Sequence, residues 1–151
     1  MKTRSFVLRA MLSVIVAGVS NLAAADSGEQ VFQSNCAVCH QPQAQGMPGL
    51  APPLKGSRWS KFTGQRAYVP GVLLAGMNGS LPMEGDNFIG VMPTQNRLSD
   101  EDIAAVANYL FKTVNGQSDW QALTAAEIAD MRKSTPSVSS LRALRKQALA
   151  Q

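Results

Sequence analysis

Two residue types are nearly missing from this chain. It has one histidine and two cysteines in 151 residues. A structural zinc site needs four such ligands, so it is excluded. A framework of several disulfides is excluded too, and at most one bridge can form. The chain also lacks a membrane-spanning stretch. Its N-terminal apolar run, Ala10 to Val19, has ten residues including Ser13, against the roughly 20 that cross a bilayer. No segment of any length alternates apolar and polar residues in the manner of a half-buried strand, which predicts an all-α fold.

The scarce residues are all in one place. Cys36-Ala37-Val38-Cys39-His40 contains both cysteines and the only histidine. C-x-x-C-H is the attachment signature of a c-type haem: two thiols add across the two vinyl groups, and the histidine binds the iron. A thioredoxin-like thiol pair would not need His40 and belongs beside a strand–helix–strand pattern, which the chain does not show. A plain Cys36–Cys39 disulfide is the remaining alternative.

The N-terminus has the order of a secretory signal. Lys2, Arg4 and Arg9 precede the apolar run, and Ala23-Ala24-Ala25 offers a small-residue cleavage site. Residues 1–25 therefore read as a signal peptide, and the mature chain reads as periplasmic. The formal charge of +4 is misleading, because that segment carries three basic and no acidic side chains. Residues 26–130 are net acidic. Arg132, Lys133, Arg142, Arg145 and Lys146 make the last segment basic, with no acid among them. Nothing in this distribution points to nucleic acid. The basic tail is a candidate for docking on a partner or an anionic membrane surface.

Helices follow from caps and periodicity. Asp26 or Ser27 can cap a helix that runs into Cys36. Prolines and glycines from Pro42 to Pro53 predict a loop. Val69, Val72, Leu73 and Met77 predict a helix within 65–78, with Pro70 in its first turn. Ser99-Asp100-Glu101-Asp102 starts a helix bearing Ile103, Val106, Ala107 and Leu110, and Asn115-Gly116 ends it. Thr124 and Glu127 form another capping box, and a last helix spans about 139–149, with Leu141, Leu144, Ala148 and Leu149 on its apolar face. The domain reading is a 26–116 unit followed by a helical extension, 117–151.

With those elements in order, the chain resembles the class I (mitochondrial-type) cytochromes c, in particular small bacterial periplasmic monohaem members. The resemblance rests on Gly28 and Phe32, the Cys36–His40 motif, Pro52-Pro53-Leu54, Gly90-Val91-Met92-Pro93, and the Leu98-Ser99-Asp100-Glu101 helix start. It implies an all-α cytochrome c fold with first and last helices packed around one covalent haem c. It implies that His40 binds iron through Nε2 and that the Pro52 carbonyl accepts from its other ring nitrogen, with Pro53 the near alternative. Met92 stands where the family places its second axial ligand, and Met83 is the alternative. Trp59 is a candidate haem contact, able to reach a propionate through its indole N–H or simply to pack. The implied function is single-electron transfer between redox proteins (dehydrogenase or reductase, terminal oxidase) without catalysis at the iron. One alternative is a dedicated electron-accepting subunit of a periplasmic dehydrogenase or reductase. Another is a five-coordinate haem serving as a sensor or peroxidase-like site, although no distal histidine exists to support it.

Overall fold

A computed structural model describes residues 27–83 and 87–151. The expected signal peptide lies outside the described residues. Helix α1 (Gly28–Asn35) begins at a complete capping box, in which Ser27 Oγ accepts from Gln30 N–H and the Gln30 side chain accepts from Ser27 N–H. The chain turns at Cys36 into a single helical turn, α2 (Ala37–His40). A loop and a 3-10 segment (Ser57–Phe62) lead to α3 (Tyr68–Ala75). Pro70 sits in the first turn of α3, where its missing N–H costs nothing.

Helix α4 (Asp100–Tyr109) is capped by Ser99, whose Oγ accepts from Asp102 N–H, and three acidic residues favour its positive end. It buries Ile103, Ala104, Val106 and Ala107, then widens into a π-helical turn, Leu110–Val114. Helix α4 crosses α1 at Gly28, which lies directly against the Ala105 carbonyl and Tyr109 Cβ and leaves no room for a side chain. Phe32 and Tyr109 complete the crossing, their ring centroids 5.7 Å apart.

The all-α expectation is wrong. Strands β1 (Met77–Pro82) and β2 (Asn87–Met92) form an antiparallel pair, with Met77 opposite Met92, Gly79 opposite Gly90 and Leu81 opposite Phe88. Helix α3 therefore ends at Ala75, with Gly76 in the left-handed region (φ 75°), and Met77 opens a strand instead of closing a helix. The cause of the error is physical. In β2, exposure alternates along the strand, but its outward residues Ile89 and Val91 are themselves apolar, so burial alternates where polarity does not. In β1, Asn78, Gly79 and Pro82 are poor strand formers that hide the pattern.

The segment after residue 116 is not appended to the outside. Trp120 stacks on Phe111 at 4.0 Å, and its indole donates to Asn108 Oδ1 at 2.8 Å. Helix α5 (Ala125–Lys133) starts at the Thr124–Glu127 capping box and buries Ile128. Helix α6 (Val138–Leu149), capped by Ser137, lies on α3 and the 3-10 segment with Leu141 and Ala148 fully buried. These side chains join the same hydrophobic core as Phe32, Phe62 and Ile103. Among the described residues no helix is long and apolar enough to cross a membrane.

Two outcomes test this packing. Gly28→Val should lower holoprotein stability by roughly 1–3 kcal/mol through overpacking, whereas Gly64→Ala, which meets nothing within 4 Å, should change it by less than about 0.5 kcal/mol. Leu141→Ala should cost roughly 2–5 kcal/mol in one cooperative transition. A separate, earlier melting step for the C-terminal segment would contradict a shared core. Thermal unfolding followed by circular dichroism reads both.

Candidate haem site

Cys36, Cys39, His40, Pro52, Trp59, Met83 and Met92 come together around one largely apolar cavity. It encloses about 1130 Å³ of empty space, part of it open to solvent. Both cysteines are free, Cys36 buried and Cys39 half-exposed. Burial pushes the Cys36 thiol up to about 11, and the neighbouring Cys39 adds to the rise. Redox-active thiol pairs need the opposite, a depressed value, so the environment does not suit disulfide exchange.

The loop after His40 is folded back on itself. Gly46 N–H donates to the His40 carbonyl at 2.9 Å and Leu54 N–H to the Ala44 carbonyl at 2.9 Å. Gly46 has φ 74°, and a Cβ there would lie 2.6 Å from Pro53 N and 2.7 Å from Ala51 O. That close return places the Pro52 carbonyl oxygen 2.9 Å from His40 Nδ1. Asn115 fastens the far end, its amide donating to the Leu54 carbonyl at 2.9 Å and its oxygen accepting from Gly56 N–H at 3.1 Å. With Nδ1 engaged, Nε2 is the ring nitrogen left for a metal. Burial lowers the His40 pKa, and the Pro52 hydrogen bond only partly opposes it. The imidazole is therefore held neutral, which is its ligating form.

Met92 ends β2, and the chain beyond it is tied to the end of α3. Thr94 Oγ donates to the Leu74 carbonyl at 2.7 Å, and Gln95 N–H to the Leu73 carbonyl at 2.6 Å. Gly76 admits this crossing, since a Cβ there would lie 2.8 Å from the Met92 carbonyl oxygen. Phe88, Gly90 and Met92 line the cavity from β2, and Met77 and Leu81 from β1. Gly90 has no side chain, and the Phe88 ring fills the space, its Cζ 2.6 Å from where a Cβ would lie. Met83 is differently placed: its sulfur lies 3.3 Å from both Arg58 Nη1 and Arg145 Nη2.

Trp59 is 5% exposed and packs against Phe62 and Phe111, with centroids at 5.3 and 5.9 Å. Its indole N–H is buried and has no partner among the described residues. Arg145 is a cavity residue that sequence reasoning missed. The signal was present, since Arg145 follows Leu141 by four residues and precedes Ala148 by three, on the buried stripe of α6.

These features fit a haem. The cavity wall is apolar, two free thiols and a neutral imidazole stand on one short stretch, and a thioether lies on a separate strand. Buried donors without acceptors stand ready for the carboxylates a haem carries. Among the described residues, no cluster of three or more His, Cys, Asp or Glu could hold a bare metal ion.

Comparison with known proteins agrees. Residues 23–110 match the family described as cytochrome C oxidase, cbb3-type, subunit III. Cytochrome c-552 of Thermus thermophilus is 36% identical over 138 residues, 85% of this chain and 90% of that protein. The cbb3-type cytochrome c oxidase subunit CcoP of Rhodobacter capsulatus is 34% identical over 94 residues, 62% of this chain but 30% of that subunit. The cytochrome c subunit of the quinone alcohol dehydrogenase of Gluconobacter oxydans is 27% identical over 117 residues, 76% of this chain and 24% of that subunit. The match spans the attachment motif, both wall-forming strands and helix α4, and with the cavity described above it means that this chain belongs to the class I c-type cytochromes, electron-transfer proteins, and binds one haem c covalently.

Proposed function

We propose that this chain is a periplasmic electron carrier whose iron is closed on both sides, with Cys36 and Cys39 holding the haem and His40 and Met92 as axial ligands. The observation that carries the reading is the 2.9 Å contact from His40 Nδ1 to the Pro52 carbonyl, which fixes the ring and raises its basicity as a ligand. Met92 is favoured over Met83 by surroundings. A sulfur lying between two guanidinium groups faces cations already, whereas Met92 faces the apolar wall. The haem supplies a one-electron iron couple. The protein's part is to hold both ligands in place in either oxidation state and to keep water away. Anchoring Met92 through Thr94 and Gln95 to α3 serves the first task, and the Phe88–Met92 face of β2 serves the second.

We take residues 26–116 as the cytochrome unit and 117–151 as an extension that closes over it. Residues 1–25 direct export. The names of the oxidase and dehydrogenase relatives support redox proteins as partners, either as a free shuttle or as a dedicated subunit. Docking is best placed at the cavity mouth, where Leu50 and Val91 line the opening while exposed, and Val91 (74%) and Ile89 (71%) present an apolar outer face of β2. The basic tail is the lesser candidate. Arg132 pairs with Asp100 at 2.8 Å, Lys133 pairs with Asp130, Arg142 donates to the carbonyls of Asn78 and Ser80, and Arg145 is buried.

The ligand set is tested by the visible spectrum and potential of three holoprotein variants. Met92→Ala should remove the weak sulfur-to-iron band of the oxidised form, lower the potential and admit carbon monoxide to the reduced iron. Met83→Ala and Met77→Ala should keep the band. Loss of the band in Met83→Ala but not in Met92→Ala would move the ligand to Met83. The docking surface is tested by electron self-exchange, measured by NMR line broadening. Val91→Glu should slow it by roughly tenfold or more through like-charge repulsion across the contact with the spectrum unchanged, and an unchanged rate would place the electron exit elsewhere.

A further inference from the structure

The guanidinium of Arg145 is the least explained charge in the described structure. The side chain is 7% exposed, yet every partner it meets is neutral: Tyr68 Oη at 3.4 Å, the Pro82 carbonyl at 3.0 Å, Met83 Sδ at 3.3 Å and the face of the Phe62 ring at 5.7 Å. Its Nε is buried with no hydrogen-bond partner, and no carboxylate among the described residues pairs with it. Arginine does not escape such a position by losing its proton, and a buried charge is tolerated only when paired.

The missing anion has a source. Arg145 lines the haem cavity, and haem carries two propionates on one edge. Trp59 lines the same cavity with a second buried donor that has no acceptor, its indole N–H. Both side chains also pack on the Phe62 ring, Trp59 at 5.3 Å and Arg145 at 5.7 Å from its centroid.

We infer that Arg145 is the counter-charge of a haem propionate, with the Trp59 indole as a second donor at the same edge. Helix α6, about a hundred residues beyond the attachment motif, is then part of the cofactor site. It is not only a cover. Its burial against α3 through Leu141, which touches Gly71, is what delivers the guanidinium to the cavity. This inference rests on the haem occupying the cavity with Met92 and not Met83 at the iron, since the Met83 sulfur lies 3.3 Å from Arg145 Nη2.

Charge pairing leaves a signature that loss of packing does not. An ionised propionate stabilises ferric iron, and a paired cation cancels that effect. The potential of the wild-type holoprotein should therefore be flat between about pH 5 and pH 9. In Arg145→Gln it should match wild type at the acid end, where the unpaired propionate is protonated, and fall as rising pH ionises that group. Arg145→Lys should largely restore the flat profile. The sulfur-to-iron band should persist in both variants, which separates a failure here from a failure of the axial assignment. A potential in Arg145→Gln that coincides with wild type at every pH, or is offset equally at every pH, would overturn the inference. Should Arg145→Gln yield no holoprotein, ¹³C-labelled propionates in the wild-type protein decide. One carboxyl carbon that titrates below the ordinary carboxylate range supports the pairing, and ordinary titration of both refutes it.

Discussion

A haem is a large flat apolar disc with two carboxylates on one edge, and the chain's one histidine, His40, lines the cavity suited to it. The orientation of its ring depends on one contact, the 2.9 Å reach from His40 Nδ1 to the Pro52 carbonyl. For it to exist, the loop after α2 must return to its own start. Gly46 allows this by taking φ 74° and by having no side chain where Ala51 and Pro53 pass. Asn115, at the end of the long α4 segment, then pins the loop's exit through Leu54 and Gly56. The proximal side of the site is thus held jointly by the motif, the loop and the last helix of the cytochrome unit, not by the motif alone.

The opposite wall uses a different principle. A two-stranded antiparallel pair is marginal in isolation, so β1 and β2 depend on what they lean against. Leu81 and Met77 are buried with the core, and the chain past Met92 is fastened to the end of α3 by Thr94 and Gln95. The extension adds a third support: Arg142 donates to the carbonyls of Asn78 and Ser80, and Arg145 to that of Pro82. Residues after 116 therefore brace a strand that lines the cavity, which ties the stability of the wall to the docking of α6.

How far the site was legible varied with how local each signal was. The attachment residues and the caps at Ser99 and Thr124 involve neighbours a few positions apart, and the side chains announce them. The sheet was missed because its outward positions, Ile89 and Val91, are apolar and exposed, so polarity gave no period. Arg145 counts among the basic residues of the tail offered for docking, although its spacing to Leu141 and Ala148 places it on the buried stripe of α6. A charge on an apolar stripe is informative only when something is known to lie beneath it.

The chemistry is legible in the chain alone: two thiols and one imidazole within five residues admit a covalent haem and little else, and helix caps mark most of the helices around it. Which distant groups meet around the cavity follows from packing alone. The Pro52 carbonyl, the Thr94 anchor behind Met92, the unpartnered Trp59 indole and the buried Arg145 guanidinium come from four separate parts of the chain. Backbone carbonyls and positive-φ glycines carry no side-chain signature of what they will touch, and a buried charge differs from an exposed one only in its surroundings. Those surroundings exist once α1, α4, the sheet and α6 have packed around a common cavity, because the free energy that fixes them is shared among contacts far apart in sequence.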